Sequence, residues 1–485
     1  MTAGNVQIFD ILIGGEWRQA VSGKAIDVKN PASNSVVARV PQCDERDVDL
    51  AARAADKAFA AWSEATAKER ARLIHAAAAN VRKGLEEIGR WLTMEMGKPL
   101  ADSRKEVADA ASTLDYFAEE GLRIGGEIAP IGTHQAVSLV VKEPIGVCGA
   151  IAPWNYPVSL LAWKVGPALA AGCTVVCKPS TETPVSPLMF VRCIEEAGFP
   201  PGVVNAVTGS GPVVGTAIVE HPLVRKIAFT GTGSVGRDIL ARAAKGLKRV
   251  SLELGGHSPL LVFADAKFEE AVSVGVKRSF RNMGQICNAV NRIFVEKPLY
   301  EKYLARFVEL TQKLTVGDGL ENPNVDLGPM LNRKGIEKTI AHIEDAKAKG
   351  ARLLFGGESL RGPKFKSELY FKPTVLADTT LDMKIMTEET FGPAVGIASF
   401  EGVEDAINLA NSTEYGLVSY AYTSSLATAR ALARGIRSGT VCVNNTTGST
   451  LEAPYCGWKN SGLGLELSRH ALDEYMQIKH VRIEV

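Results

Sequence analysis

The runs GVCGAIAP (residues 146–153), CTVVCKP (173–179), VVNAVTG (203–209), KIAFTG (226–231), RVSLELGG (249–256) and SPLLVFA (258–264) decide the fold. Each is short, apolar and bounded by Gly or Pro, as expected of a strand buried on both faces. Helical stretches, such as the one near residues 184–197, separate them. This alternation predicts an α/β fold, a parallel sheet with helices on both faces. A second alternating region spans about 260–440, with strands expected at NRIFVE (291–296), ARLLFGG (351–357), GIASF (396–400), SYAYT (419–423) and TVCVN (440–444). Two α/β domains in one chain place a ligand site in the cleft between them.

Upstream, residues 44–125 read as helices, from DERDVDLAARAADKAFAAW and KERARLIHAAAANVRKGLEEIGRWLTMEM. Ala, Leu, Arg and Glu dominate there, with apolar residues at helical spacing. Segment 123–143 and the tail YMQIKHVRIEV (475–485) are strand-like and belong to neither alternating region. Free strand edges of this sort pair readily with another subunit.

The chain has 485 residues, 55 basic against 54 acidic side chains, and 46% hydrophobic residues. This is ordinary globular composition for two to three domains, without the basic stripe of a nucleic-acid binder. No apolar run reaches the roughly 18–20 residues of a membrane span. The start, MTAGNVQIFD, lacks the basic region and apolar core of a signal peptide. Eight cysteines occur without C-x-x-C pairs or metal-ligand spacing, so no metal is expected and a reducing compartment, the cytoplasm, is.

Gly231, Gly233 and Gly236 in FTGTGSVG (229–236) match G-x-G-x-x-G, and Glu253 follows at about the distance of the ribose-binding acid of a dinucleotide fold. Other residues offer different chemistry. Cys287 lies in FRNMGQICNA (280–289), among small and polar residues. A thiolate attacks an aldehyde to give a thiohemiacetal, and hydride loss to a nicotinamide then leaves a thioester. Glu253 of ELGG (253–256) is placed to deprotonate that thiol or the hydrolytic water. Asn155 of PWNYP (153–157) is held between aromatics and prolines and suits an oxyanion hole. Taken singly, each has a structural reading: a buried cysteine, a strand-end glutamate, a turn asparagine.

Together these motifs, with CKPS (177–180), EETFGP (388–393) and PYCGWKNSGLG (454–464), resemble the aldehyde dehydrogenase superfamily over about residues 10–480. The resemblance implies that Cys287 is the nucleophile and Glu253 the general base, displacing the ribose reading. It implies an oxyanion hole from Asn155 and the Cys287 backbone N–H. It assigns the cofactor to Trp154, Lys178, Ser180, Thr181, Gly211, Gly231, Thr232, Gly236, Leu254, Glu389 and Phe391. It further implies a cofactor-binding domain over 1–122 and 144–253, a catalytic domain over 254–445, an oligomerisation element from 123–143 and 468–485, and a return to the active site over 446–467. A homodimer or homotetramer follows from the same resemblance.

Family members that pass the acyl group to coenzyme A usually lack the acid at 253, so Glu253 implies hydrolysis to a free carboxylic acid. NAD-preferring members often carry Glu where this chain has Thr181. A hydroxyl there tolerates a 2′-phosphate, so use of both NAD and NADP is expected. Arg281 stands where succinate-semialdehyde dehydrogenases grip the distal carboxylate, a contact suited to arginine. Trp163 stands where those relatives carry a second arginine, and instead resembles the betaine-aldehyde branch, whose aromatics hold a cation. With Tyr156 and Tyr455 it is expected to line the aldehyde tunnel, with Ser449 at its mouth. The expected substrate is a short aldehyde with an anionic or polar tail. The alternatives are a betaine-aldehyde-like or broad-specificity enzyme and, in another class, a non-catalytic binding or structural relative. Glu452 is a candidate second acid, with a surface carboxylate as the other reading, and Cys456 a candidate disulfide partner of Cys287.

Overall fold

The structure, a computed structural model, describes residues 6–132 and 135–484. Residues 1–5, 133–134 and 485, which the expected domains and oligomerisation element include, lie outside the described residues.

Five parallel strands form the middle of the first sheet, in spatial order Arg249–Glu253, Val224–Thr230, Val147–Ile151, Thr174–Lys178 and Val204–Ala206. The two strands VCGAI and TVVCK are buried at every position. Helices cover both faces, which removes the polar alternation a one-sided sheet would show. The earliest of the five lies at the centre, so strand order reverses beside it, between Val147–Ile151 and Val224–Thr230. Ligands of open α/β sheets bind outside the carboxyl ends of the strands at such a reversal. Asn155, Lys178, Gly231 and Glu253 all stand at or just beyond these ends.

The edges come from afar. Gly462–Leu463 pairs antiparallel with Arg249–Glu253, and Ile11–Ile13 and Glu16–Arg18 extend the other side. Neither pairing was visible in the sequence, because the segments are two or three residues long.

The second sheet runs Arg352–Phe355, Thr374–Ala377, Ala394–Phe400, Val290–Glu296, Ser258–Val262, Val418–Tyr422 and Thr440–Val443, parallel except for its first pair. Only residues 254–257 separate Arg249–Glu253, the last of the five parallel strands in chain order, from Ser258–Val262 of the second sheet. The expected helical region resolves into Glu45–Glu64, Ala67–Lys83, Leu85–Met96 and Leu100–Gly121. The first is set by Asp44, whose side chain caps it while Asp47 reaches back to the Asp44 N–H.

Met476–Glu484 pairs antiparallel with Ala136–Pro144 over nine residues, and Glu127–Ile128 adds a third strand. Ile128, Ile478 and Ile483 of this small sheet are exposed. Among the described residues, no helix is long and apolar enough to cross a membrane.

Candidate active site

Cys287 follows a backbone turn that few sequences can make. Asn282, Met283 and Gly284 all have positive φ, at 51°, 56° and 68°. Two consecutive non-glycine residues in that region are uncommon, and surrounding contacts must hold them. Here Gln285 Nε2 donates to Asn282 O at 3.0 Å, and Gln285 Oε1 accepts from Leu331 N–H at 3.0 Å. Asn155 Nδ2 donates to Gln285 O at 3.0 Å, two residues before the thiol. An amide NH2 carries a second hydrogen, which this bond leaves available.

ELGG brings the acid to the thiol through two close approaches. A Cβ on Gly256 would lie 2.3 Å from Cys287 O, and one on Gly255 would lie 2.8 Å from Glu389 Oε2. A Cβ at Gly256 would collide with backbone and one at Gly255 would displace the Glu389 carboxylate, so the strand end touches the Cys287 loop and Glu389 at once. Gly256 N–H donates to Glu389 Oε1 at 2.9 Å.

Glu253 is buried, and neither carboxylate oxygen meets a donor in full hydrogen-bond geometry. Burial, reinforced by the nearby Glu466 charge, pushes its pKa up to about 8. Lys164 opposes this, as do the Cys287 thiol and Thr230 hydroxyl, which lie close enough to favour the ionised form. Burial, and then the Glu253 charge, raise the Cys287 thiol well above its ordinary range. The resting pair is therefore a thiol beside a carboxyl group that titrates near neutrality. Tyr455 Oη sits 3.6 Å from Cys287 Sγ and accepts from Asn288 Nδ2 at 3.0 Å.

On one side of the thiol opens a cavity of about 410 Å³ between the two sheets. Trp154, Gly231, Thr232, Leu254, Glu389 and Phe391 line it together with Asn155 and Cys287. Trp154 and Phe391 meet edge to face at 5.3 Å. The helix Gly233–Ala244 starts at its wall, and Gly236 packs on Leu254. Burial pushes Glu389 up to about 7. Lys178, buried and shifted down to about 8 by burial, donates to Pro179 O at 3.1 Å, with Gly215 of the Gly211–Gly215 turn against its stem. Ser180 Oγ accepts from Glu182 N–H at 3.3 Å. Thr181 Oγ1 donates to Gly209 O at 3.0 Å, so the hydrogen expected to meet a 2′-phosphate is engaged within the chain.

The other side of the thiol is aromatic. Trp163 and Tyr455 meet at 5.4 Å, and Tyr156 lies under the Lys98 ammonium at 3.7 Å. Arg281 donates from Nε to Asp102 Oδ1 at 3.2 Å, and its Nη2 lies 3.1 Å from the same oxygen. Ser449 is half-buried on the loop beyond Thr440–Val443.

Residues 17–481 match the model of the aldehyde dehydrogenase family. The chain is 42% identical to the succinate-semialdehyde dehydrogenase [NADP(+)] GabD of Escherichia coli (strain K12), covering 97% of each chain. It is 41% identical to a 3-sulfolactaldehyde dehydrogenase of Pseudomonas putida, covering 97% of this chain and 96% of that one. A solved betaine aldehyde dehydrogenase of Staphylococcus aureus, in complex with NAD+, superimposes with a TM-score of 0.95 at 34% identity, over 98% of this chain and 94% of that one. The chain belongs to the aldehyde dehydrogenase family.

It is an enzyme of that family and dehydrogenates aldehydes. Several residues of this aldehyde dehydrogenase site escaped the sequence reading. Behind Glu253 lies a buried pair: Lys164 Nζ donates to Glu466 Oε1 at 2.7 Å and to Thr230 Oγ1 at 2.6 Å. The second acid near Glu253 is thus Glu466, whereas Glu452 is exposed on its loop. Beneath the Asn155 turn lies another buried pair, Lys98 and Glu106. Lys98 Nζ donates to Asn155 O at 2.7 Å, and Glu106 Oε1 accepts from Val158 N–H (2.9 Å) and Ser159 N–H (3.3 Å). Lys334, Lys338 and Glu182 also line the cavity. The signal in the sequence was a lone charge in an apolar run: Lys164 within PVSLLAWKVGPALAA and Glu466 within GLGLELS. Cys456 and Cys287 are both free. Cys287 faces Tyr455, while Cys456 Sγ lies against Gly439.

Proposed function

We propose that this aldehyde dehydrogenase oxidises a short aldehyde with an anionic tail to its carboxylic acid, using NAD or NADP. The observation that carries the reading is the Cys287 thiol set against buried Glu253 at the wall of a cavity between two sheets.

The cavity fits a nicotinamide dinucleotide. It has the volume for the reactive half, an aromatic pair at Trp154 and Phe391, a helix start at Gly233 with its unpaired N–H groups, and the Glu389 carboxylate for a ribose. Gly231, Thr232, Gly236 and Leu254 flank the dinucleotide, and Lys178, Ser180, Thr181 and Gly211 serve its adenosine end. The nicotinamide, when bound, supplies the acceptor for the hydride lost by the aldehyde adduct.

Glu253 takes the proton of Cys287, and the sulfur forms a bond to the aldehyde carbon. The free hydrogen of Asn155 Nδ2 and the Cys287 backbone N–H hold the oxygen as it gains charge. After oxidation the acyl group is a thioester on Cys287. Glu253 loses the thiol's proton to solvent and then takes one from water; the water oxygen bonds to the acyl carbon, the S–C bond breaks, and the proton on Glu253 returns to the sulfur, releasing acid and thiol.

Arg281 anchors the anionic tail, with Tyr156, Trp163, Tyr455 and Ser449 lining the approach. Relatives named for succinate semialdehyde and 3-sulfolactaldehyde, both anionic, support this. The Trp163–Tyr455 pair favours a second reading, a neutral or cationic tail as in betaine aldehyde. Measuring kcat/KM for matched aldehydes with anionic, neutral and cationic tails, each with NAD and NADP, decides between them. An anionic preference lost in Arg281→Ala supports the first reading. A neutral or cationic preference overturns it.

The exposed Ile128, Ile478 and Ile483 support a homodimer or homotetramer assembled through the small sheet of segments 123–143 and 468–485. The same reading gives 1–122 and 144–253 to cofactor binding, 254–445 to catalysis and 446–467 to the active-site return. Eight cysteines, all free, support a cytoplasmic, reducing location.

A further inference from the structure

Arg281 meets Asp102 at the corner where Proposed function places the tail of the aldehyde. The two groups are about equally accessible, at 24% and 25% of their side-chain surface, so a ligand there encounters both. Both guanidinium contacts go to a single oxygen, Asp102 Oδ1. The remaining donors of the guanidinium fork lie outside this pair.

The charge balance of the corner is close to zero. Lys98 is cancelled by Glu106, which it touches in full burial, and Arg281 by Asp102. Asp109, one turn beyond Glu106, adds a further negative field at Arg281, and Tyr156 faces it from the opposite element. An incoming anion therefore meets a cation that already has a counter-ion, and that counter-ion repels it. Asp102 lies near the start of the helix Leu100–Gly121, with Glu106 one turn further on. The helix thus presents one acid to the substrate's arginine and another to the turn that carries Asn155.

We propose that Asp102 is a specificity-determining residue: it holds the Arg281 guanidinium in place while weakening its grip on an anionic tail, so that acids are released and neutral aldehydes are not shut out. This rests on the reading of Arg281 as the tail anchor. Asp102 acts through Arg281 and does not touch the reacting atoms. An asparagine at 102 keeps an acceptor oxygen for Arg281 and removes the repelling charge; a serine removes the charge with a smaller group.

The test measures KM and kcat for succinic semialdehyde and for butanal, and competitive inhibition by succinate, in wild type, Asp102→Asn, Asp102→Ser, Arg281→Ala and the double variant. Removing the charge of a partly exposed ion pair should strengthen succinate inhibition and lower KM for succinic semialdehyde by about two- to fivefold, the range of such pairs. The anionic-to-neutral ratio of kcat/KM rises accordingly, with kcat moving less than KM. In the Arg281→Ala background the part of the Asp102→Asn effect that runs through the guanidinium is lost, so the two substitutions are non-additive. If Arg281→Ala lowers the ratio but both Asp102 variants leave it in place or reduce it, this inference fails and the anchor reading stands. If Arg281→Ala leaves the ratio in place, the anchor reading fails and this inference with it. Should one Asp102 variant not fold, the other carries the same decision.

Discussion

Two lysine–glutamate pairs lie buried within reach of Cys287, and they differ in how fully they are satisfied. In Lys98–Glu106, Glu106 accepts from Lys98, from two backbone N–H groups at a helix start, and leaves no orphan oxygen among the described residues. In Lys164–Glu466, Glu466 Oε2 has no partner, and both oxygens of neighbouring Glu253 lack a donor in full hydrogen-bond geometry. A satisfied buried pair fixes geometry, because every alternative arrangement loses bonds. A buried acid that lacks donors keeps its proton to higher pH, as Glu253 does, and an acid whose pKa lies near the working pH can both take and return protons. In the proposed mechanism the first pair supports the Asn155 turn, and the second sets the charge around Glu253.

The sharpest break of this contrast is Glu253→Gln. Steady turnover should fall by about 10²–10⁴-fold, the usual contribution of a general base, and the first-turnover burst of NAD(P)H should slow as well, because the same acid takes the Cys287 proton. Steady turnover near wild type would remove Glu253 from the chemistry. Next comes Glu106→Gln, which strands the buried Lys98 charge. Breaking a buried pair on one side costs about 3–5 kcal/mol, read as a drop in denaturant midpoint. An unmoved midpoint would show that Lys98–Glu106 is not scaffold. Asn155→Ala should lower kcat by about 10²–10³-fold, as loss of one oxyanion donor does, at little cost in stability; a wild-type kcat would end that assignment. The smallest effect is on pH dependence. Turnover should rise as Glu253 ionises near pH 8, since its raised value leaves it mostly protonated below that point. Glu466→Gln removes a negative neighbour and moves this midpoint to lower pH, whereas Lys164→Met removes a positive one and moves it higher. A midpoint that stays put in both would separate the second pair from the base.

The same contrast explains what could be read in the sequence. PWNYP, ELGG, FRNMGQICNA and EETFGP combine residue types that strand-end turns rarely need together, so they stood out as segments. The alternation of VCGAI, TVVCK and RVSLE with helices gave the sheets, because period and turn chemistry are local properties. Lys164 and Glu466 lie 302 positions apart, and nothing local tells a buried lysine from one on a helix surface. Thr181 shows the same limit. Its identity suggested a donor for a 2′-phosphate, but only the fold reveals that Gly209 O takes the hydrogen.

Glu253 ends a strand of one sheet, and Ser258 opens a strand of the other, with Leu254, Gly255, Gly256 and His257 between them. The acid therefore belongs to one sheet and the thiol to a loop of the other, and these four residues join the two. The closeness of acid and thiol is thus a property of how the two sheets dock on each other, and belongs to neither sheet alone.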